Sequence, residues 1–454
     1  MNDLYGELFR GVIYPAWETT IRRRPTLKHW QRLERSQWSS LDELQAFQLR
    51  ELRSLLQHAF THTPHYRRRF LERGLSPEHI NHLDDLRRLP LLTREEATSC
   101  FEDRKSRAGL PLIDKATSGT TGQPLVFAYD RGSEYWRQAI KLRGYGWAGY
   151  QPGDRSVHFW GSPVLEPPPP ARRAKASLDH WLKREHYVDC TDRSEQRLAQ
   201  VVNELRRLRP RVLVCYAQAG AALARYVNQE GCRDWPDIAV ISAAERLFPS
   251  DREALVRAFG PGVFETYGNR EVMLMAAECD AHQGMHLSVE NLIVEIVVRG
   301  DRERPAEPGE LGEVVVTDLH NYGVPFIRYL TGDLAIAAAP GSCACGRMLG
   351  RLERVEGRTT ETLRDGDGNA VSGLFFNVLF AALAHRVRSF QVVQRRDRAI
   401  DLKLVPMGTL DEALLDQLRR HCRQHIPGVE LRTHVVPELT ADRSGKLRVV
   451  TVES

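Results

Sequence analysis

Between residues 157 and 267 the chain repeats one pattern, a short apolar run followed by a helical stretch. Val157-His-Phe-Trp160, Val212-Leu-Val-Cys-Tyr216, Ile238-Ala-Val-Ile241 and Val263-Phe-Glu-Thr-Tyr267 have the length and apolarity of buried strands. Helical patterns alternate with them, at 194–207 and 250–259. Strand then helix, repeated, predicts an α/β layering with parallel strands.

The flanks read differently. Residues 1–100 are helical in pattern. In 41–56 apolar residues recur three and four apart, with Ser39 or Ser40 available as N-cap. Thr93-Arg-Glu-Glu96 looks like another capped helix start. Glu166-Pro-Pro-Pro-Pro-Ala-Arg-Arg173 reads as a surface loop, because a proline run cannot join a sheet interior. From about 290 strands crowd together, at 292–298, 312–319 and 328–336. After Gly357-Arg358 a smaller α+β unit is expected. It has helices near 374–385 and 410–424, and strands near 390–395, 400–405, 430–436 and 447–452. The expected organisation is a helical lead-in at 1–100, an α/β core at 101–357 and a small domain at 358–454.

At 454 residues more than one domain is expected. The net charge is +5, and of 64 basic residues only eight are lysine. The arginines lack the dense stripe or motif of a nucleic-acid binder, so they read as a solvated face paired with the 59 acids. No apolar run approaches the roughly 18 residues that span a bilayer. The N-terminus lacks the pattern of a signal peptide, and a soluble cytoplasmic protein is expected. The eight cysteines do not form a disulfide framework in a chain of this size.

Five segments carry candidate chemistry. Thr117-Ser-Gly-Thr-Thr-Gly122 is either a plain turn or a nest whose N–H groups and hydroxyls wrap phosphate oxygens. In Thr266-Tyr-Gly-Asn-Arg-Glu271, Tyr267 can stack on a flat ring and Glu271 can hold a hard cation; the plainer reading is a strand-end turn with an exposed Glu. In Thr331-Gly-Asp333 the acid can accept from a ribose diol, or simply serve a β-turn. Lys446, in Asp442-Arg-Ser-Gly-Lys446, is a mobile point charge suited to a phosphate or carboxylate, or an ordinary surface lysine. Cys343 and Cys345, with Cys279 and a histidine from Cys279-Asp-Ala-His-Gln-Gly-Met-His286, can complete a four-coordinate Zn²⁺ site; the alternative is free buried thiols.

In this order the segments resemble the adenylate-forming superfamily. The resemblance is greatest to its phenylacetate–CoA ligase branch, the group with coenzyme F390 synthetases and capsule-locus homologues. It covers nearly the whole chain, including Leu33-Glu-Arg-Ser-Gln-Trp38, His58-Ala-Phe-Thr-His-Thr-Pro-His-Tyr66 and Trp147-Ala-Gly-Tyr-Gln-Pro-Gly-Asp154. The resemblance implies a large multi-subdomain N-terminal domain and a small mobile C-terminal one. It assigns Thr117, Ser118, Gly119, Thr120, Thr121 and Gly122 to the ATP phosphates. Ala243, Ala244 and Glu245 fall beside adenine and the acyl pocket, lined also by Tyr267 and Gly268. It assigns Glu271 to Mg²⁺, Asp333 to the ribose, Arg358 to the interdomain hinge and Lys446 to the substrate carboxylate and phosphate. Cys279, His286, Cys343 and Cys345 fit a zinc site found in some members, with His282 as the spare imidazole. Arg270 stands where the family often has Thr, and Thr359-Thr360-Glu361 follows the hinge where an acidic pair is usual.

The implied reaction is ATP-dependent activation of a carboxylic acid to an acyl-adenylate, then transfer to a thiol such as CoA. Two other readings stand beside it. One is adenylation with a different acceptor, an amide or ester ligase or an F390-synthetase-like nucleotidyl transfer. The other is a weakly catalytic zinc-containing scaffold. Phe127, Trp160, Tyr216 and the segment at Ala243 are candidates for shaping the acyl pocket, and the acid itself is left open. A homodimer is what analogy with relatives offers.

Overall fold

The computed structural model describes residues 3–116, 125–161, 170–190, 192–358, 362–368, 370–372, 376, 379–380, 383, 386–439 and 449–453. The Thr117–Gly122 segment, residues 166–169 of the proline run, the 359–361 triplet and the Asp442–Lys446 turn lie outside these residues. The rest of the loop expected through residue 173 is instead the start of a helix, Pro170–Lys183, since proline is tolerated in a first helical turn. So do the side chain of Arg358 and most of the helix expected near 374–385.

The lead-in is helical. Ser40 caps the helix Leu41–His62: its hydroxyl accepts from the Glu43 N–H while the Glu43 carboxylate accepts from the Ser40 N–H. This helix runs six residues past the expected 56. It stops where Thr63, forced out of the helical region by Pro64, takes φ −122°, ψ 106°. Thr93 caps Arg94–Ser99 as expected, accepting from the Glu96 N–H. Two short π-helical stretches, Phe9–Ile13 and Ala16–Ile21, had no signal in the sequence.

Strands β1 (Leu112–Ala116) and β2 (Val126–Asp130) pair antiparallel. The predicted apolar runs become β3 (Ser156–Trp160), β5 (Val212–Tyr216), β6 (Ala239–Ala243) and β7 (Val263–Asn269). Strand β4 (Glu185–Asp189) joins them, and the order β4-β3-β5-β6-β7 is parallel throughout. All five residues of β5 are buried, as a parallel strand covered on both faces requires. Leu198, Leu223, Leu255 and Phe259 cover one face from the helices Glu195–Leu208, Ala217–Glu230 and Pro249–Phe259. Leu142 and Tyr150 cover the other, from the helix Arg131–Trp147 and the turn after it.

Beyond β7 the sheet turns antiparallel. Strands β8 (Met273–Glu278), β9 (Met285–Leu287), β10 (Leu292–Val298), β11 (Asp301–Pro305), β12 (Leu311–Asp318), β13 (Tyr329–Ala337) and β14 (Arg351–Arg358) continue it in the order β7-β8-β9-β14-β13-β12-β10-β11. Twelve strands thus form one mixed sheet. A second sheet follows in the small α+β part, from β17 (Val387–Gln394), β18 (Ile400–Pro406), β19 (Leu431–Val435) and β20 (Val450–Val452), in the order β19-β18-β17-β20. The helix Glu412–His425 covers it through Leu414, Leu415 and Leu418. A short hairpin of β15 (Thr362–Arg364) and β16 (Ala370–Ser372), not foreseen, precedes it.

Many arginines pair with acids on the surface, but four do not fit a solvated face: Arg104, Arg137, Arg143 and Arg328 are buried. No helix among the described residues is long and apolar enough to cross a membrane.

Ser40→Ala removes one half of the capping box and should cost about 1 kcal/mol of stability. Urea denaturation should show a lowered midpoint with an unchanged slope.

Candidate active site and metal centre

The candidate residues gather where the sheet changes from parallel to antiparallel. Tyr267 and Gly268 lie near the end of β7, and Glu271 in the turn to β8. Gly268 admits no side chain, since a Cβ there would lie 2.1 Å from the Met273 carbonyl oxygen. Glu271 is 4 % exposed rather than the exposed turn residue of the plainer reading. Its carboxylate accepts from the Tyr329 hydroxyl at 3.4 Å, and Arg94 approaches the same oxygen at 3.5 Å. Burial, with the Glu271 carboxylate next in effect, raises the Tyr329 hydroxyl above the ordinary phenol range, so it stays a donor.

Asp333 is not at a strand-end turn. It lies inside β13, after Gly332 at φ 79°, and faces Arg358 of β14 in register. The Tyr267 hydroxyl donates to its Oδ2 at 2.8 Å, while its own N–H donates to Thr331 Oγ1 at 3.1 Å. Two candidates 66 residues apart are therefore in direct contact.

The Ala243–Glu245 segment leaves the end of β6 with Ala244 at φ 68°, a left-handed conformation costly for a residue with a Cβ. The Glu245 carboxylate accepts from the Gln218 N–H at 3.0 Å, in the first turn of the helix Ala217–Glu230, whose N-cap Tyr216 offers no side-chain acceptor. Thr266 Oγ1 donates to the Ser242 carbonyl at 2.8 Å and ties this segment to β7. Trp160 and Tyr216 meet at the ends of β3 and β5, with ring centroids 4.3 Å apart. Phe127 is not with them. It is buried with Phe326 and Tyr329 in the core of the antiparallel half.

Two contributors had no sequence signal. Arg137 is 2 % exposed. It donates to the Glu271 carbonyl and to Asp318 Oδ2, both at 2.7 Å, and to Ser133 Oγ at 2.9 Å. Its guanidinium lies 4.2 Å from the Tyr129 ring centroid. Arg94 reads in sequence only as a first-turn helix residue. A lone arginine among 56 carries no mark that would single it out. Arg270, visible in sequence only as a departure from the family pattern, has a contact of its own. It donates to the Ala116 carbonyl at 2.8 Å, tying the Glu271 turn to the strand that leads into Thr117.

The second centre joins two loops. Cys279 directly follows β8 and His286 lies in β9, while Cys343 and Cys345 come from the connection between β13 and β14. Among the described residues, these four bring one donor atom each within 4.8 Å of one another. Cys279 Sγ is 3.8 Å from Cys343 Sγ, and Cys345 Sγ is 3.3 Å from His286 Nε2. His286 Nδ1 lies 3.4 Å from the Leu349 carbonyl, which fixes the proton on that nitrogen and leaves Nε2 facing the thiols. Burial pulls His286 down to about 4, so its ring is neutral at physiological pH. Burial pushes Cys279 up to about 12. Burial also raises Cys345, but hydrogen bonds from the Arg347 backbone and side chain, with those from Cys343 and Cys279, together outweigh it and hold that thiol below its ordinary value. His282, the spare imidazole, is elsewhere: it faces Glu278 at 3.5 Å and the Phe264 ring at 5.0 Å.

No family model matches the chain. Among curated proteins it is similar to the phenylacetate-coenzyme A ligase of Thermus thermophilus, 26 % identical over 387 residues covering 82 % of this chain and 81 % of that protein. The phenylacetate-coenzyme A ligase of Escherichia coli is 26 % identical over 353 residues, 73 % of this chain and 75 % of that one. Protein CapK of Staphylococcus aureus is 20 % identical over 342 residues, 72 % and 71 %. Among solved structures, a 2-hydroxyisobutyryl-CoA ligase in its postadenylation state superposes with TM-score 0.69 at 18 % identity, over 92 % of this chain and 91 % of that one.

Arg137→Met leaves Asp318, which is fully buried, without its charged partner. It should cost about 3–5 kcal/mol by chemical denaturation, and Arg137→Met with Asp318→Leu should cost less than the single change.

Proposed function

We propose that this chain, which belongs to the adenylate-forming superfamily, activates a carboxylic acid with ATP and passes the acyl group to the thiol of CoA. The observation that carries the reading is the contact of Tyr267 with Asp333 beside the Glu271 turn, which gathers the candidate ring-stacking, ribose and cation residues at one sheet edge.

In the first half-reaction a carboxylate oxygen of the acid attacks the α-phosphorus of ATP. The bond to the β-phosphate oxygen breaks, and pyrophosphate leaves with its electron pair. The protein's task is alignment and neutralisation of charge. Thr117 to Gly122 wrap the phosphates, Tyr267 and Gly268 line the adenine side with Ala243 to Glu245, and Asp333 accepts from the ribose hydroxyls. Lys446 bridges the acid's carboxylate and the phosphate. Glu271 suits Mg²⁺, because a buried carboxylate in the β7–β8 turn offers the hard oxygen ligand that this ion takes. Bound there, the ion would neutralise phosphate charge. In the second half-reaction the CoA sulfur attacks the acyl carbon and AMP leaves. For this the small domain, from residue 358 onward, turns on Arg358 and withdraws Lys446.

The cysteine–histidine centre suits Zn²⁺ in a structural role. A tetrahedral site with metal–sulfur bonds of about 2.3 Å has edges of about 3.8 Å, and the Cys279–Cys343 separation is 3.8 Å. Three thiols and one imidazole leave no open position for substrate, so Cys279, His286, Cys343 and Cys345 would hold the β8–β9 and β13–β14 loops together. We assign the chain to the cytoplasm, where ATP and CoA are supplied; its free cysteines agree with a reducing compartment. A homodimer is the oligomer we expect.

The test is pyrophosphate release from ATP and Mg²⁺ over a panel of carboxylic acids, with hydroxylamine to trap acyl-AMP, run with and without CoA. Acid-dependent release and a CoA thioester are expected. Release that never consumes CoA would move the reading to another acceptor. Lys446→Ala should slow adenylation by about a hundredfold or more and spare thioester formation from preformed acyl-AMP; equal loss in both halves would remove the assigned role. Glu271→Gln should raise the Mg²⁺ concentration needed for half-maximal turnover, and an unaltered requirement counts against it. Metal analysis should find about one zinc per chain, and a metal-free, folded and fully active protein would demote the four donors to ordinary side chains.

A further inference from the structure

Beside the helix Pro64–Glu72 lies a cavity of about 360 Å³, lined among others by His65, Arg68, Arg69, Arg73, Glu96 and Cys100. It is separate from the site described above. The short helix Arg94–Ser99 presents Glu96 to the cavity and Arg94 to Glu271.

His65 is the observation that asks for a ligand. The residue is 1 % exposed, and among the described residues neither ring nitrogen has a hydrogen-bond partner. Its nearest carboxylate, Glu96, stands at 3.8 Å, too far for a hydrogen bond. Buried polar groups are as a rule satisfied, so an orphaned imidazole lining a cavity marks a missing partner. Burial, then the charges of Arg69 and Arg104, holds this ring neutral, with its value pulled down to about 3. It therefore offers one N–H donor and no charge.

The charges around it set the sign of that partner. Arg68, Arg69 and Arg73 bring three guanidinium groups, against the carboxylates of Glu72 and Glu96. Glu96 is already taken by Arg69 at 2.6 Å, and Arg69 also donates to the Leu91 carbonyl at 2.9 Å. Glu72 is exposed. Arg68 is exposed and reaches Asp103 only at 3.4 Å, and Arg73 is exposed as well. Two exposed forks thus stand at the mouth, one of them in long contact with Asp103, and a neutral N–H donor lies at the buried end. Guanidinium forks match the spacing of phosphate oxygens, and an imidazole N–H suits a third oxygen.

We propose that this cavity binds the phosphate group of a small ligand, with Arg68 and Arg73 pairing to its oxygens at the mouth and His65 donating to it from within. The ligand is either free phosphate or pyrophosphate, or a phosphoester that carries the same group.

Cys100 gives a local readout, because it lines the cavity and is partly exposed. The full-length protein is alkylated with iodoacetamide and the rate at Cys100 followed by peptide mass spectrometry. Probes are inorganic phosphate, pyrophosphate and AMP, with chloride at matched ionic strength. Saturable slowing at Cys100, with the other cysteines unaffected, is expected with at least one phosphate probe and not with chloride. The probe that protects at the lowest concentration identifies the source. In the double variant Arg68→Gln, Arg73→Gln the half-protecting concentration should rise about tenfold or more, the loss expected when charge-assisted hydrogen bonds are removed. Both side chains are exposed, so the fold should be kept. The ¹⁵N resonances of the His65 ring should move on titration with the protecting probe. Protection that chloride reproduces, protection that survives the double variant, a His65 ring that does not respond, or no protection by any probe each overturns the proposal. None of these readouts requires adenylation activity, so a failure of the proposed reaction leaves the test intact.

Discussion

The site rests on one buried guanidinium. Arg137 reaches from the helix Arg131–Trp147 and holds both Asp318, at the end of β12, and the Glu271 carbonyl, in the turn between β7 and β8. A charge taken out of water without a partner costs several kcal/mol, on the order of 3–5 when a pair is broken. The helix, the turn and the far strand are therefore constrained to one relative position. Glu271 is placed by this backbone contact before its own carboxylate does anything. Arg270 extends the constraint to Ala116, the last described residue before the Thr117–Gly122 segment.

Topology explains why such a constraint falls here. Strand β7 pairs parallel with β6 on one side and antiparallel with β8 on the other. The parallel half sends its connections over the sheet as helices, while the antiparallel half turns back directly. At the junction the chain must leave one habit for the other, and the tight β7–β8 turn at Arg270 to Val272 is the result. Ligand sites in α/β sheets favour the carboxyl ends of strands, where such changes of direction leave a crevice. The ends of β3, β5, β6 and β7 bring Trp160, Tyr216, Ala243 and Tyr267 to that edge.

Much of this was legible in the sequence, and the limits have physical reasons. The strands of the parallel half announce themselves because burial on both faces forces continuous apolar runs. Val212 to Tyr216 needs no partner to be recognised. The helix Leu41–His62 was readable at its start, since a capping box is a local device, and less so at its end, where Thr63 and Pro64 decide. The clustered cysteines and histidine were readable as residue types, and the family resemblance put His286 first with His282 as the spare; spacing alone left both open, because both lie within eight residues of Cys279, and it is the pairing of β9 with β8 that sets His286 beside the thiols. Asp333 was recognised and misplaced: a Thr-Gly-Asp sequence suggests a turn, yet Gly332 here permits a bulge inside a strand. Arg137, Arg94 and the buried Arg143 and Arg328 were not legible. Arg137, Arg143 and Arg328 reach partners 181, 147 and 241 residues away in sequence, and arginine is the commonest charged type in the chain.

Strand β14 has a mechanical consequence. Its first residues pair with β9 at His286 and Met285, next to the cysteine–histidine centre, while its last residue, Arg358, lies in register with Asp333. The strand spans about 24 Å between these points at about 3.4 Å per residue. It is not a free arm, because β13 pairs with it from Leu352 to Arg358 and holds it along one whole edge. The loops that carry the four donors therefore bear on the same run of backbone that ends at residue 358, and the strand acts as a tie bar between the cluster and Asp333.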